Sequence, residues 1–200
     1  AYVFNLKTPQ ALIKDLTFSL PGRHNLSNAV IASAMALEYG CKASGVREGL
    51  ATFKGVKRRF TYQIKRENLV LIDDYAHHPE EINALHQAVR EMYPNECILV
   101  IFQPHLYSRT RDFIDGFAES LSKFDEVFLL PVYPAREVPI EGVNSKWLLD
   151  KIAHPNKSLI QKSELIAAIK KSKARVILTL GAGDIGELVQ PITQALNFEN

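Results

Sequence analysis

Two hundred residues are enough for one large domain, or for one domain plus part of another. At 46% hydrophobic and 23% charged residues the composition is globular, with material for a sizeable core. The 24 Lys and Arg against 22 Asp and Glu leave a net charge of +2, which excludes a general affinity for nucleic acid or membrane and requires any anion site to be local.

In chain order, the opening stretch AYVFNL reads as the middle of a strand, without the basic and then apolar regions of a leader, so the chain is expected to be a piece of a longer protein. YVFNL and LTFSL predict two short strands. In PGRHNLSNAVIASAMALEYG, Leu26, Ala29, Val30, Ala34 and Leu37 recur at helical spacing, Asn25 fits the N-cap and Gly40 stops the run. SGVREGLATF predicts a second short helix.

From Phe60 onward strands and helices alternate. The strands are FTYQIK, LVLIDD, CILVIF, EVFLLPVY, SLI and RVILTL; helices are expected over Pro79–Met92, Phe113–Lys123, Ser145–Ile152, Ser163–Lys171 and Ile185–Leu196. Several strands are almost wholly apolar, as in a parallel sheet covered on both faces. The pattern predicts a Rossmann-like, doubly wound α/β domain with a mostly parallel sheet. The change of regime at FKGVKRRF divides the chain into residues 1–55 and 56–200. Cys41 and Cys97 stand in no metal-binding spacing, which predicts buried thiols in a reducing, cytoplasmic setting.

Ligands of such a sheet bind beyond the carboxyl ends of its strands. The segments there are DDYAHHPEEI, QPHLYSRTRDF, PVYPARE and GAGDIG. Asp73 and Asp74 can accept from a ribose or help hold a metal-bound phosphate, His77 and His78 can carry protons or donate hydrogen bonds near neutral pH, and Pro79 suits the first turn of a helix whose N-terminus favours anions. Adjacent histidines make a poor chelate, so no metal site is expected. In the second segment His105, Tyr107, Arg109 and Arg111 crowd one loop and helix start, where an arginine fork grips a carboxylate or phosphate. Arg136–Glu137 reads equally as a surface pair or as part of the site. Upstream, Asn25 and Asn28 lie three apart on one helix face and offer the donor and acceptor that an adenine edge needs. Lys57, Arg58 and Arg59 form a basic cluster at the boundary, suited to a polyphosphate.

Gly181, Gly183 and Gly186 spell G-x-G-x-x-G after a strand, the pattern of a dinucleotide site. That fold requires a further strand ending in an acid ~20 residues on. Here one helix follows, and Glu199 falls in a polar tail. The glycines therefore read as a tight turn at a crevice, with Asp184 capping the next helix, and not as an NAD site. No G-x-x-x-x-G-K-[ST], G-x-S-x-G or H-E-x-x-H occurs in the sequence.

PGRHNLSNAVIA, GVKRRF, DDYAHHPEEI, FQPHLYSRTRDF, YPARE and GAGDI follow one another along nearly the whole chain. Together they resemble the distal part of a Mur ligase, nearest to the branch that adds L-alanine. The resemblance implies that residues 1–55 are the end of a central ATPase domain and 56–200 the C-terminal Rossmann-like domain. It places the P-loop and principal magnesium ligands before residue 1, so the 200 residues alone are expected to be inactive. The implied reaction is ATP-driven amide formation: a carboxylate of UDP-N-acetylmuramate becomes an acyl phosphate, and the amine of L-alanine displaces phosphate.

Carried over by motif, Asn25 and Asn28 contact adenine, and Arg59 and Asp74 contact the nucleotide's ribose or phosphates. Tyr75 and His77 stand near the amino acid, with Asp74 and His77 the expected catalytic pair. Arg109, with Arg111, holds a carboxylate, because Leu106 occupies a position where many relatives place a further arginine. ATP and magnesium are the implied cofactors; nucleic acid and membrane are not partners. A tripeptide-adding sister ligase and a non-catalytic nucleotide- or amino-acid-binding module are the competing readings.

Overall fold

The computed structural model describes residues 1–9 and 11–197; Glu199 lies outside the described residues. The chain forms two compact units, Ala1–Val56 and Lys57–Asn200.

In the first unit, β1 (Tyr2–Lys7) and β2 (Leu12–Phe18) pair as an antiparallel ribbon. Helices α1 (Arg23–Glu38) and α2 (Ala43–Thr52) follow. Leu6, Ile13, Leu16, Phe18, Ala29, Val46 and Leu50 form its core. The N-cap of α1 is Gly22, not Asn25. Gly22 takes φ 91°, a left-handed conformation open to glycine, and its carbonyl accepts from the N–H of Asn25 and of Leu26.

The second unit is a six-stranded sheet in the order β3-β4-β8-β5-β6-β7. Its strands are β3 (Thr61–Lys65), β4 (Val70–Asp74), β5 (Ile98–Phe102), β6 (Glu126–Leu129), β7 (Lys157–Leu159) and β8 (Val176–Leu180). Only the edge strand β3 is antiparallel; the other five are parallel. Alternation along the strands divides the core between two faces. Ile72, Val100, Phe102, Leu129 and Leu178 pack beneath α3 (Pro79–Met92), α5 (Ile114–Leu121) and α6 (Ser145–Lys151). Leu71, Leu99, Ile101, Phe128 and Ile177 pack against α7 (Leu165–Lys171) and α8 (Ile185–Asn197) on the other side. This is the doubly wound arrangement expected from the apolar strands.

Local differences from the sequence reading have identifiable causes. Strand β6 ends at Leu129 rather than Tyr133, because Pro131 and Pro134 cannot donate to a ladder. A further helix, α4 (Tyr107–Asp112), precedes α5 and is separated from it by Phe113 at φ −117°, ψ 21°. Both cysteines are exposed rather than buried: Cys41 lies in the α1–α2 turn and Cys97 just ahead of β5. No described helix is long and apolar enough to cross a membrane.

Candidate functional site

Strand order creates a crevice. The adjacent parallel strands β4 and β8 send their following helices, α3 and α8, to opposite faces of the sheet. Such a switch point leaves a gap above the carboxyl ends where side chains from several loops converge.

Asp74 ends β4. Its Oδ2 accepts from the Phe60 N–H at 2.7 Å and its Oδ1 from the Ala76 N–H at 2.8 Å. Burial raises its pKa, and Asp73 pushes the same way; the two amides and the charge of Arg59 oppose the shift. Arg59 itself is exposed. Beyond Asp74, Tyr75 is 39% exposed and packs edge-on against His77, with ring centres 5.3 Å apart. His77 Nδ1 lies 2.9 Å from the Tyr75 carbonyl. A carbonyl only accepts, so Nδ1 is the donor, with the Glu81 carboxylate also 3.3 Å from it. Glu81, in the first turn of α3, accepts from the N–H groups of both His77 and His78. Pro79 occupies the first turn, as expected, and the His78 ring rests on Phe113 at 4.5 Å.

The loop after β5 brings His105 within 6.3 Å of the His77 ring. His105 stacks on Tyr133 at 5.7 Å, and its Nδ1 lies 3.3 Å from Arg109 Nη1. Arginine only donates, which leaves His105 neutral with its proton on Nε2. Burial lowers its pKa, and the charges of Arg109 and His77 reinforce the shift. Leu106 holds φ 72°, ψ 134°, a conformation costly for a branched residue, at the N-cap of α4. Two residues apart on one short helix, Arg109 and Arg111 diverge. Arg111 is exposed and pairs with its neighbour Asp112 at 2.8 Å, so it is not gathered with the histidines. Glu137, from the YPARE segment, accepts from the Ser108 N–H at 2.9 Å and from the Ser108 hydroxyl, fastening the loop after β6 to the start of α4.

The glycine loop is shaped by its own neighbours. A Cβ on Gly181 (φ 140°) would lie 2.7 Å from the Gln103 carbonyl, and one on Gly183 2.7 Å from Tyr133 Cβ. A Cβ on Gly186 would lie 2.6 Å from Arg58 Nη1. The three glycines thus admit other atoms of the protein, a backbone carbonyl and two side chains, where a dinucleotide fold admits a pyrophosphate. Asp184 does not cap α8 with its carboxylate. The buried Gln103 takes that place, its Oε1 accepting from the Ile185 N–H at 2.9 Å, while its Nε2 donates to Asp184 at 2.7 Å and Lys162 pairs with the same carboxylate. Next to this lies a cleft of about 490 Å³ lined by Lys57, Arg58, Gln63, Tyr133, Gly183 and Glu187 among others.

Within the first unit, Asn25 Nδ2 donates to the Pro21 carbonyl at 2.7 Å, which leaves Oδ1 for any ligand; Asn28, nearly one turn on, is exposed. Of the residues the strand-end motifs offer, the fold brings together Tyr75, His77, His105, Arg109 and Tyr133, with Asp74 at the end of β4 beside them. The structural roles of Gln103 and Glu81, and the Ser108 partnership of Glu137, are not visible in the motifs. Their signal was a polar residue at a strand end or loop, where a buried group must find a partner. Among the described residues, no group of three His, Cys, Asp or Glu could hold a metal ion. The arrangement offers two imidazoles, a guanidinium and a half-buried carboxylate around one crevice: equipment for gripping anions and moving a proton.

Residues 58–183 match the family model described as Mur ligase, glutamate ligase domain. The chain is 62% identical over 199 residues to the UDP-N-acetylmuramate--L-alanine ligase of Christiangramia forsetii, covering 100% of this chain and 44% of that protein. It is 59% identical over 196 residues to the enzyme of the same name from Flavobacterium johnsoniae, covering 98% and 44%. It therefore spans less than half the length of these relatives. Among solved structures it superposes on the UDP-N-acetylmuramate-alanine ligase of Thermotoga maritima with a TM-score of 0.77 and 32% identity, covering 93% of this chain and 40% of that one. The murein peptide ligase of Psychrobacter arcticus shares the fold at a TM-score of 0.67 and 23% identity, covering 95% and 40%.

Proposed function

The chain belongs to the Mur ligase family, and on that premise we propose that it is the amino-acid-receiving part of an ATP-dependent ligase joining L-alanine to UDP-N-acetylmuramate. The observation that carries this reading is the 59–62% identity, over essentially the whole chain, to relatives bearing that name. In this reading the first unit is the end of a central ATP-binding domain, and the second is the C-terminal domain.

The sugar carboxylate attacks the γ-phosphorus of ATP, giving an acyl phosphate and ADP. The alanine nitrogen then attacks the acyl carbon, the C–O bond to phosphate breaks, and the nitrogen loses a proton. No protein nucleophile is needed. The task is positioning and charge neutralisation, which suits the crevice's inventory. Arg109 grips the alanine carboxylate. Its Nη1 partner His105 is neutral, so the guanidinium keeps its charge for the substrate. His77, its Nδ1–H committed to the Tyr75 carbonyl, presents Nε2 as acceptor for the amine proton. Asp74 and Arg59 meet the nucleotide's ribose and phosphates, and Asn25 Oδ1 with Asn28 meets the adenine. Magnesium belongs to the family's chemistry, but the described residues offer it no ligand set.

The test is phosphate release by the full-length protein. The reading predicts release from ATP that requires both UDP-N-acetylmuramate and L-alanine. Release indifferent to L-alanine would overturn it.

A further inference from the structure

The chain carries two adjacent doublets, Arg58–Arg59 and Asp73–Asp74, and the fold treats their members oppositely. Asp73 is 1% exposed, on the α8 side of the sheet. Its Oδ1 accepts from the Thr179 hydroxyl at 2.9 Å and its Oδ2 from Arg58 Nε at 3.0 Å. Arg58 Nη2 donates to the Gly181 carbonyl at 2.8 Å. Its guanidinium lies 5.3 Å from the centre of the Tyr75 ring and fills the space that Gly186 leaves by having no Cβ. The backbone is held too: the Arg58 carbonyl accepts from the Tyr75 N–H at 2.7 Å, and the Phe60 N–H donates to Asp74. Arg58 (φ 59°) and Phe60 (φ 46°) both take left-handed conformations, which non-glycine residues adopt only where the surroundings enforce them.

We propose that Arg58 is a positioning residue of the ligase: one guanidinium clamps the start of the second unit to β4 and the β8–α8 loop, fixing where Arg59, Asp74 and Tyr75 stand. The fork is what the geometry demands. Two donors must reach a carboxylate on β4 and a carbonyl in the β8–α8 loop while the plane stacks on a ring, and a lysine ammonium cannot reproduce that pattern. Arg58 touches no substrate in this account; it acts through its neighbours. The assignment rests on the ligase reading for its catalytic consequence and on the structure alone for the clamp.

Two variants test it in the full-length protein. Arg58→Lys keeps the charge and loses the fork. Gly186→Ala leaves every clamp residue in place, but its Cβ would meet Arg58 Nη1 at 2.6 Å and force the guanidinium off its partners. Both should raise the KM for ATP roughly three- to tenfold, the scale of one net hydrogen bond lost at a remove from the substrate, with kcat within about twofold. The double variant should be clearly less than additive, because both changes break one interaction. Amide hydrogen exchange at Phe60 and Tyr75 should accelerate in both, while the most protected amides of β5 stay as in the wild type. Unchanged exchange at those two amides would overturn the clamp whether or not the protein is a ligase. Faster exchange with an unaltered KM for ATP would overturn the positioning role. A wild-type protein that makes no amide bond would count against the ligase reading and leave the clamp to the exchange measurement.

Discussion

Asp74 and Arg109 show how little the residue type alone reveals. Either aspartate of the doublet could have been the ligand group, and either arginine of RTR the carboxylate grip. The difference comes from strand alternation and from the helical turn, which send neighbouring side chains to different surroundings. Asp73 is consumed by Arg58 and Thr179, whereas Asp74 accepts only two backbone amides and retains lone pairs. Asp74→Asn should therefore cost about 1 kcal/mol of stability, since a carboxamide accepts at one oxygen and leaves one amide unpaired, while the KM for ATP of the full-length enzyme rises at least about tenfold. Calorimetry and steady-state kinetics check the two halves; a wild-type KM would make Asp74 structural. Arg109→Lys should raise the KM for L-alanine by about tenfold, whereas Arg111→Lys, whose side chain rests on Asp112 in solvent, should change it less than about twofold. Equal effects would show that Arg111 shares the grip.

At the level of elements, most of the fold was legible because the strands of the second unit are short apolar runs separated by amphipathic helices. Periodicity failed where it had nothing to act on. The six residues of α4 are polar or aromatic, and their first turn is fixed from a distance by Glu137, a contact local sequence cannot foretell. The glycine motif misleads for a related reason: it marks close approach without naming the approaching group. Gly183→Ala should destabilise the second unit by about 1–3 kcal/mol, because its Cβ would meet Tyr133 Cβ at 2.7 Å in a packed turn; thermal unfolding close to wild type would refute the packing argument.

Helix α3 carries a pH dependence of its own. His86 packs against the Phe124 ring at 4.8 Å with Nε2 buried and unpaired, and burial, followed by the charge of Arg90, holds its pKa below the usual 6.5. The unfolded chain then binds the proton first on acidification. The contribution is full above pH 6.5 and is lost as pH falls from there through the folded-state value. His105, lowered in the same direction, adds to the effect. His86→Leu should make the stability difference between about pH 7.5 and about pH 5.5 smaller than in wild type, as read by urea unfolding. An equal or larger difference would contradict the assignment.

At the scale of the whole molecule, a Mur ligase domain carries a crevice whose side chains are suited to positioning and charge neutralisation. The sequence contains no G-x-x-x-x-G-K-[ST] phosphate loop, so these 200 residues alone should form no amide bond from ATP, sugar nucleotide and alanine; formation above background would contradict the division of labour proposed. The motifs made the family legible from the sequence, because each sits at a strand end where chemistry has to be. What they could not convey is which neighbour each side chain spends itself on, since those partners lie on other strands and loops. The central claim is that the crevice receives L-alanine. Its most direct measurement is a competition: the full-length protein is given ATP, UDP-N-acetylmuramate, L-alanine and the cell-wall tripeptide together, and the products are weighed by mass spectrometry. The account predicts the alanine adduct as the dominant product; a dominant tripeptide adduct, with phosphate release unaffected by omitting L-alanine, would contradict it.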